Sequence, residues 1–244
     1  MVEALRVFRN ARDNFTLFLE GHRMQEPERV AVLGLGDFGY HLACELYQLG
    51  HEVLAVDSNQ DKVQQILPYV TKAAVADASD QAALQELGIA AFDLVAVCVG
   101  ERLETAVLLV HHLHRWQLPR ILVKVTNDEQ AEIVQLVGAT EVIQPEQGSA
   151  RKAALLIHHP RSVDYLELGG GHLIVAAHPP ASAVGKTVGT KAFQERHGVA
   201  LLGLWHAGQQ GPPAPPAPDR TIAETDVLIL AGHIDRLRVL RRMQ

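Results

Sequence analysis

Two cysteines in 244 residues, Cys44 and Cys98, are too few for a disulfide framework, and they form no CxxC pair. Both lie in apolar surroundings, so both are expected to be buried thiols in a reducing cytosol. No apolar stretch reaches the roughly 20 residues that a membrane-spanning helix needs. The first residues lack the unbroken apolar core of a signal peptide. A cytoplasmic protein is expected, with any membrane association coming through a partner. A long basic stripe is missing too. The net charge is −6, which argues against the clustered positive face of a nucleic-acid protein. The GxSxG, HExxH and P-loop lysine motifs are absent.

Apolar residues make up 48% of the chain, enough for a sizeable core. From Arg29 the pattern alternates between short β-branched runs and helical periodicity. RVAVLG is followed by DFGYHLACELYQLG, which closes on Gly50. EVLAVD precedes NQDKVQQILPY, with Ser58 or Asn59 as N-cap. KAAVAD, DLVAVCVG, RILVKV and TEVIQP continue the strands, with helices between them. Six strands in this rhythm predict a doubly wound, Rossmann-like parallel sheet over residues 29–143. In the usual strand order the ligand crevice opens where the first and fourth strands part.

The rhythm breaks after that. EQGSARKAALLIHHP reads as a crossover helix within residues 144–162. Residues 163–244 read as a small α+β domain with antiparallel character. It holds a helix around KTVGTKAFQERHG, a proline-rich surface loop and a closing strand and helix. Residues 1–28 form a weakly periodic amphipathic arm.

The first turn, Gly34-Leu35-Gly36-Asp37-Phe38-Gly39, follows a strand, opens a helix and precedes Asp57 by eighteen residues. That context is the fingerprint of a dinucleotide site. Gly34 permits the turn, Gly36 lets backbone approach a phosphate, and Gly39 lets the helix pack on the strand. Asp57 can accept hydrogen bonds from ribose hydroxyls, and it would repel a ribose 2′-phosphate, disfavouring NADP. Further candidates fall at strand ends on the same edge: Ser58 and Asn59, Asp77 and Ala78, Gly100, Lys124 as a point charge for phosphate, and Glu146. Each has a plainer reading: Asp77 as an N-cap, Lys124 as a solvated edge residue, Glu146 as a first-turn helix charge. His111 and His114 have the i, i+3 spacing of two metal ligands, but no third ligand is apparent. The sequence offers a cofactor site without an evident proton relay, which favours a nucleotide sensor over an enzyme.

VLGLGDFGYHLACELYQLGHEVLAVDSNQDKV, AVADASD, VKVTND and IQPEQG together resemble the RCK (regulator of K⁺ conductance) domain family, the cytosolic gating subunits of Ktr and Trk potassium uptake systems. DYLEL and TDVLILAGH resemble its C-terminal subdomain, so the likeness spans residues 29–241. The resemblance implies a regulatory subunit that binds ATP, ADP or NAD(H). It implies dimerisation through the helix at residues 145–159, an octameric ring and a membrane-embedded potassium channel as partner. It further implies that Gly34, Gly36, Gly39, Asp57, Asn59, Asp77 and Lys124 contact nucleotide, and that Glu146 helps hold Mg²⁺ or another divalent cation.

Two departures stand out. Asp37 replaces an arginine that, in ATP-gated relatives, reaches the terminal phosphate of a neighbouring subunit. Gln194 and Arg196 replace the pattern through which some relatives bind cyclic di-AMP, which puts that ligand in doubt. The other functional readings are an NAD-dependent oxidoreductase, or a regulator of another cation channel or antiporter.

Overall fold

The computed structural model describes residues 28–99, 103–158, 162–188, 198–206 and 217–237, together with residues 213 and 215. The chain divides into two compact units, one ending at Ser149 and the other beginning at Ala150.

In the first unit the strands are β1 (Arg29–Leu33), β2 (Glu52–Asp57), β3 (Lys72–Val75), β4 (Leu94–Val97), β5 (Arg120–Lys124) and β6 (Glu141–Ile143). They form one sheet in the order β3-β2-β1-β4-β5-β6, and every pairing is parallel. The expected doubly wound topology is therefore present, and its reversal point lies between β1 and β4. The helices are α1 (Asp37–Gln48), α2 (Gln60–Ile66), α3 (Gln81–Glu86), α4 (Leu103–Arg115) and α5 (Asp128–Val137). α6 (Pro145–His158) follows β6 directly.

Alternation along β1 explains the layering. Val30 and Val32 face a core shared with Ala43 of α1 and Val63 and Ile66 of α2. Ala31 and Leu33 face the opposite core, with Leu84 of α3, Leu109 and Leu113 of α4, and Val134 of α5. Both faces of β4 are buried, which accounts for its unbroken apolar sequence. Burying a side chain such as Leu33 or Ile121 stabilises the fold by about 1.5–3 kcal/mol.

Local signals set the helix ends. The Asn59 side chain accepts from the Asp61 and Lys62 N–H groups and caps α2. Gly50 and Gly88 adopt left-handed φ just past α1 and α3, where a Cβ would be strained. Two details differ from the sequence reading. The helix in NQDKVQQILPY stops at Ile66 and continues as a 3₁₀ turn over Leu67–Tyr69, because Pro68 cannot donate to an α-helical ladder. Cys44 is only half-buried on α1, whereas Cys98 is buried as expected.

The second unit has an antiparallel sheet in the order β7-β8-β10-β9. Its strands are β7 (Ser162–Gly169), β8 (His172–Ala177), β9 (Ala200–Trp205) and β10 (Val227–His233), followed by α7 (Ile234–Leu237). Leu173, Val175, Leu204, Leu228 and Leu230 form its core. Asp226 is fully buried there. It accepts the Ala223 N–H at 2.9 Å and pairs with His206 at 2.6 Å and Arg220 at 3.7 Å. Paired in this way, the carboxylate avoids the cost of an isolated buried charge. The expected helix around KTVGTKAFQERHG, the proline-rich loop tip and the N-terminal arm lie outside the described residues.

Candidate functional site

The carboxyl ends of β1, β2 and β3 open on a cleft of about 400 Å³. It is lined by Gly34, Gly36, Asp37, Phe38 and Gly39 from the first turn, and by Asp57 and Ser58 from the end of β2. Asp77 and Ala78 follow β3, and Lys124 and Glu146 close the opposite side. Eleven of the thirteen candidate residues thus meet in one place. Asn59 is not among the lining residues, because its side chain is used in capping α2. Gly100 lies outside the described residues. Sequence reasoning missed Lys62, Cys98 and Thr105, which also line the cleft. The helical register of α2 puts Lys62 on the turn beside Asp57, and that spacing was the available signal.

The glycine turn is held from two sides. Gly34 takes φ +100°, and a Cβ there would lie 2.6 Å from the Cys98 carbonyl oxygen. The Gly34 N–H donates to Val56 O at 2.8 Å. The Leu35 N–H donates to Asp57 Oδ2 at 2.7 Å, and the Asn59 N–H donates to Asp57 Oδ1 at 2.8 Å. Asp57 is therefore a brace between the first turn and the start of α2, as well as a carboxylate at the cleft wall. Gly36 is the N-cap of α1 and offers no side-chain cap. The first α-helical bond of α1 runs from the Tyr40 N–H to Gly36 O. The preceding N–H groups of that turn have no partner within the helix, the arrangement that receives a phosphate.

Asp37 stands exposed in the first turn of α1, beside those amides. Asp77 accepts both the N–H and the hydroxyl of Ser79, at 2.8 and 2.7 Å. Those bonds hold its carboxyl below the ordinary aspartate range. The N-cap of α3 is Asp80, not Asp77. Lys124 Nζ lies 2.6 Å from Glu146 Oε1, in the first turn of α6. The lysine holds the Glu146 carboxyl below the ordinary glutamate range. Because both carboxyl pKa values are depressed, these contacts are intact above the ordinary carboxylate range. They are lost as pH falls through the lower, folded-state values. Burial pushes the Cys98 thiol up to about 12, so it stays protonated and acts as a packing group beneath the turn. His111 and His114 are exposed on α4. Among the described residues no group of three or more His, Cys, Asp or Glu is placed to hold a metal, and no helix is long and apolar enough to cross a membrane.

Residues 30–145 match the TrkA-N domain family. The chain is 32% identical over 206 residues to Ktr system potassium uptake protein A of Bacillus subtilis (strain 168). That alignment covers 84% of this chain and 92% of the relative. The chain belongs to the Ktr family of potassium uptake proteins. Its fold is also that of the GsuK RCK domain, with a TM-score of 0.60 at 18% identity over 90% of this chain and 48% of that one. The GsuK channel solved bound to NAD matches with a TM-score of 0.59 at 19% identity, over 90% of this chain and 40% of the channel. In this Ktr-family chain the glycine turn, the end of β2 and the first turn of α6 all contribute to one cleft.

Proposed function

We propose that this chain is the nucleotide-sensing regulatory subunit of a membrane potassium transporter, acting by binding and not by turnover. The single observation that carries the nucleotide reading is the Leu35 N–H to Asp57 Oδ2 bond. It holds the carboxylate beside the turn that carries the open amides of α1, on one cleft. Membership of the Ktr family supports the transport reading, and the NAD-bound GsuK channel supports a nucleotide in this fold.

The ligand is an adenine nucleotide, ADP, ATP or NAD(H), with its ribose against Asp57 and its phosphates over Gly36–Gly39. Lys124 meets the distal phosphates once it leaves Glu146. A divalent cation, Mg²⁺ among the candidates, would take Glu146 as a ligand and draw its other oxygens from phosphates, as Mg²⁺ commonly does. Cyclic di-AMP gains no support here, since Gln194 and Arg196 lie outside the described residues.

The partner is a membrane-embedded potassium channel subunit, which holds this chain at the inner face of the membrane. Self-association runs through α6, whose Ile157 is 79% exposed, to a dimer and then an octameric ring. A nucleotide that prefers one ring geometry shifts the population by its difference in affinity, on the order of 1–3 kcal/mol per site. Coupled sites then give a steep switch in potassium flux.

Thermal shift with ATP, ADP, AMP, NAD and NADH, with and without Mg²⁺, tests the first half. A ligand at a hundred times its Kd adds about 2.7 kcal/mol. No shift at millimolar concentrations would remove the sensor reading. Potassium flux in vesicles carrying the channel subunit, with and without the effective nucleotide, tests the second half.

Asp37 sets the expected ligand order. A terminal phosphate brought to ~5 Å of its carboxylate, at an effective dielectric near 20, costs about 3 kcal/mol per pair of unit charges. Nucleotides without a γ-phosphate are therefore preferred. Asp37→Arg is expected to raise the affinity for ATP relative to ADP by at least about tenfold, measured by calorimetry. An unchanged ratio would discard the repulsion.

A further inference from the structure

Lys62 is the cleft cation that the sequence did not reveal. Its Nζ lies 3.8 Å from Asp57 Oδ2, an ion pair too long to be a hydrogen bond. Its side chain is 43% exposed, and it lines the same cleft as Asp57. The other lysine of the cleft is engaged by Glu146 at 2.6 Å. Asp57 in turn accepts one backbone N–H on each of its oxygens, so its charge is partly met before any ligand arrives. Asp57 alone would reject a phosphate on the sugar. The Lys62 ammonium beside it, with its donors not spent on that carboxylate, offsets that repulsion.

We infer that Lys62 admits adenine nucleotides carrying a phosphomonoester on a secondary ribose hydroxyl, the 2′ or the 3′ oxygen. The reading rests on the nucleotide site proposed above and extends its ligand class. The carboxylate holds the free ribose hydroxyl through a hydrogen bond, while the ammonium takes the neighbouring phosphate as a point charge. A lysine suits this task because its flexible four-carbon stem lets the ammonium turn from Asp57 toward the phosphate.

Calorimetry on the full chain with AMP, adenosine 2′,5′-bisphosphate and adenosine 3′,5′-bisphosphate tests it. At least one bisphosphate is expected to bind within tenfold of AMP. Lys62→Ala is expected to lower the ratio of bisphosphate to AMP affinity by about tenfold, and Lys62→Arg to restore most of it. Raising the salt concentration should erode the ratio in the parent chain and leave it nearly flat in Lys62→Ala. If AMP binds while both bisphosphates bind more than a hundredfold more weakly, the inference falls and the nucleotide site stands. A ratio that Lys62→Ala leaves unmoved has the same consequence. If no adenine compound binds, the site reading and the inference fall together.

Discussion

Gly39→Ala is expected to abolish nucleotide binding and to lower the unfolding free energy by about 3 kcal/mol. A Cβ at this position would overlap the backbone oxygen of Gly34 and approach the Cys98 Cβ to 3.1 Å. Neither neighbour can yield cheaply. Gly34 is pinned by its own bond to Val56 O, and Cys98 is buried against the same turn. α1 would have to lift off β1, at the upper end of the cost of overpacking. Gly36→Ala provides the contrast. Its Cβ would meet nothing within 4 Å, and its backbone, φ −69° and ψ 179°, suits any residue. That variant is expected to lose about 1 kcal/mol or less. If the proposed site holds, it should still bind nucleotide at least about tenfold more weakly, because the methyl group would stand in the path of a phosphate approaching those amides. Urea unfolding and calorimetry on both variants separate packing from ligand approach. Undiminished binding by Gly36→Ala would move the phosphate away from this turn.

Asp57→Ala is expected to weaken nucleotide binding by more than about tenfold and to cost about 3 kcal/mol of stability. Two backbone N–H groups lose a charged acceptor at once, and hydrogen bonds to charged groups contribute about 1.5–3 kcal/mol each. Asp57→Asn is the sharper probe. An amide has one oxygen, so it can accept from Leu35 or from Asn59 but not from both, and its NH₂ then faces an N–H donor. Its stability should fall between those of the parent and Asp57→Ala. Thermal unfolding with and without nucleotide distinguishes the two roles. A variant that loses stability but keeps its ligand-induced shift would reduce Asp57 to a brace. A variant with unchanged affinity in calorimetry would take it out of the site altogether.

Much of this site was legible in order and spacing. Gly34 and Gly39 are recognisable because each meets a steric condition that no other residue satisfies as well, and Gly36 by its place between them. Asp57 is recognisable because β2 must end where the crevice begins. Parallel strands buried on both faces leave continuous apolar runs such as DLVAVCVG, so the strand count follows from the pattern, while the order β3-β2-β1-β4-β5-β6 is the usual one for that rhythm. The 3₁₀ turn at Leu67–Tyr69 was less legible. Pro68 announces a break but not the tighter winding that fills it.

The partnerships were not legible at all. Nothing in the spacing says that Asp57 braces Leu35 twenty-two residues away, or that Lys124 and Glu146 meet at 2.6 Å. Nor does it reveal that Asp226 is a fully buried carboxylate held by His206 and Arg220.

Sequence alone settled the alternation of strand and helix, the glycine turn and the edge of the sheet at which the cleft opens. Periodicity and backbone sterics act over a few residues and are written directly into the chain. Tertiary structure decided which charges neutralise one another and which remain available to a ligand. That depends on through-space distances between residues far apart in the chain, and a shift of one or two ångströms changes an ion pair into an open donor.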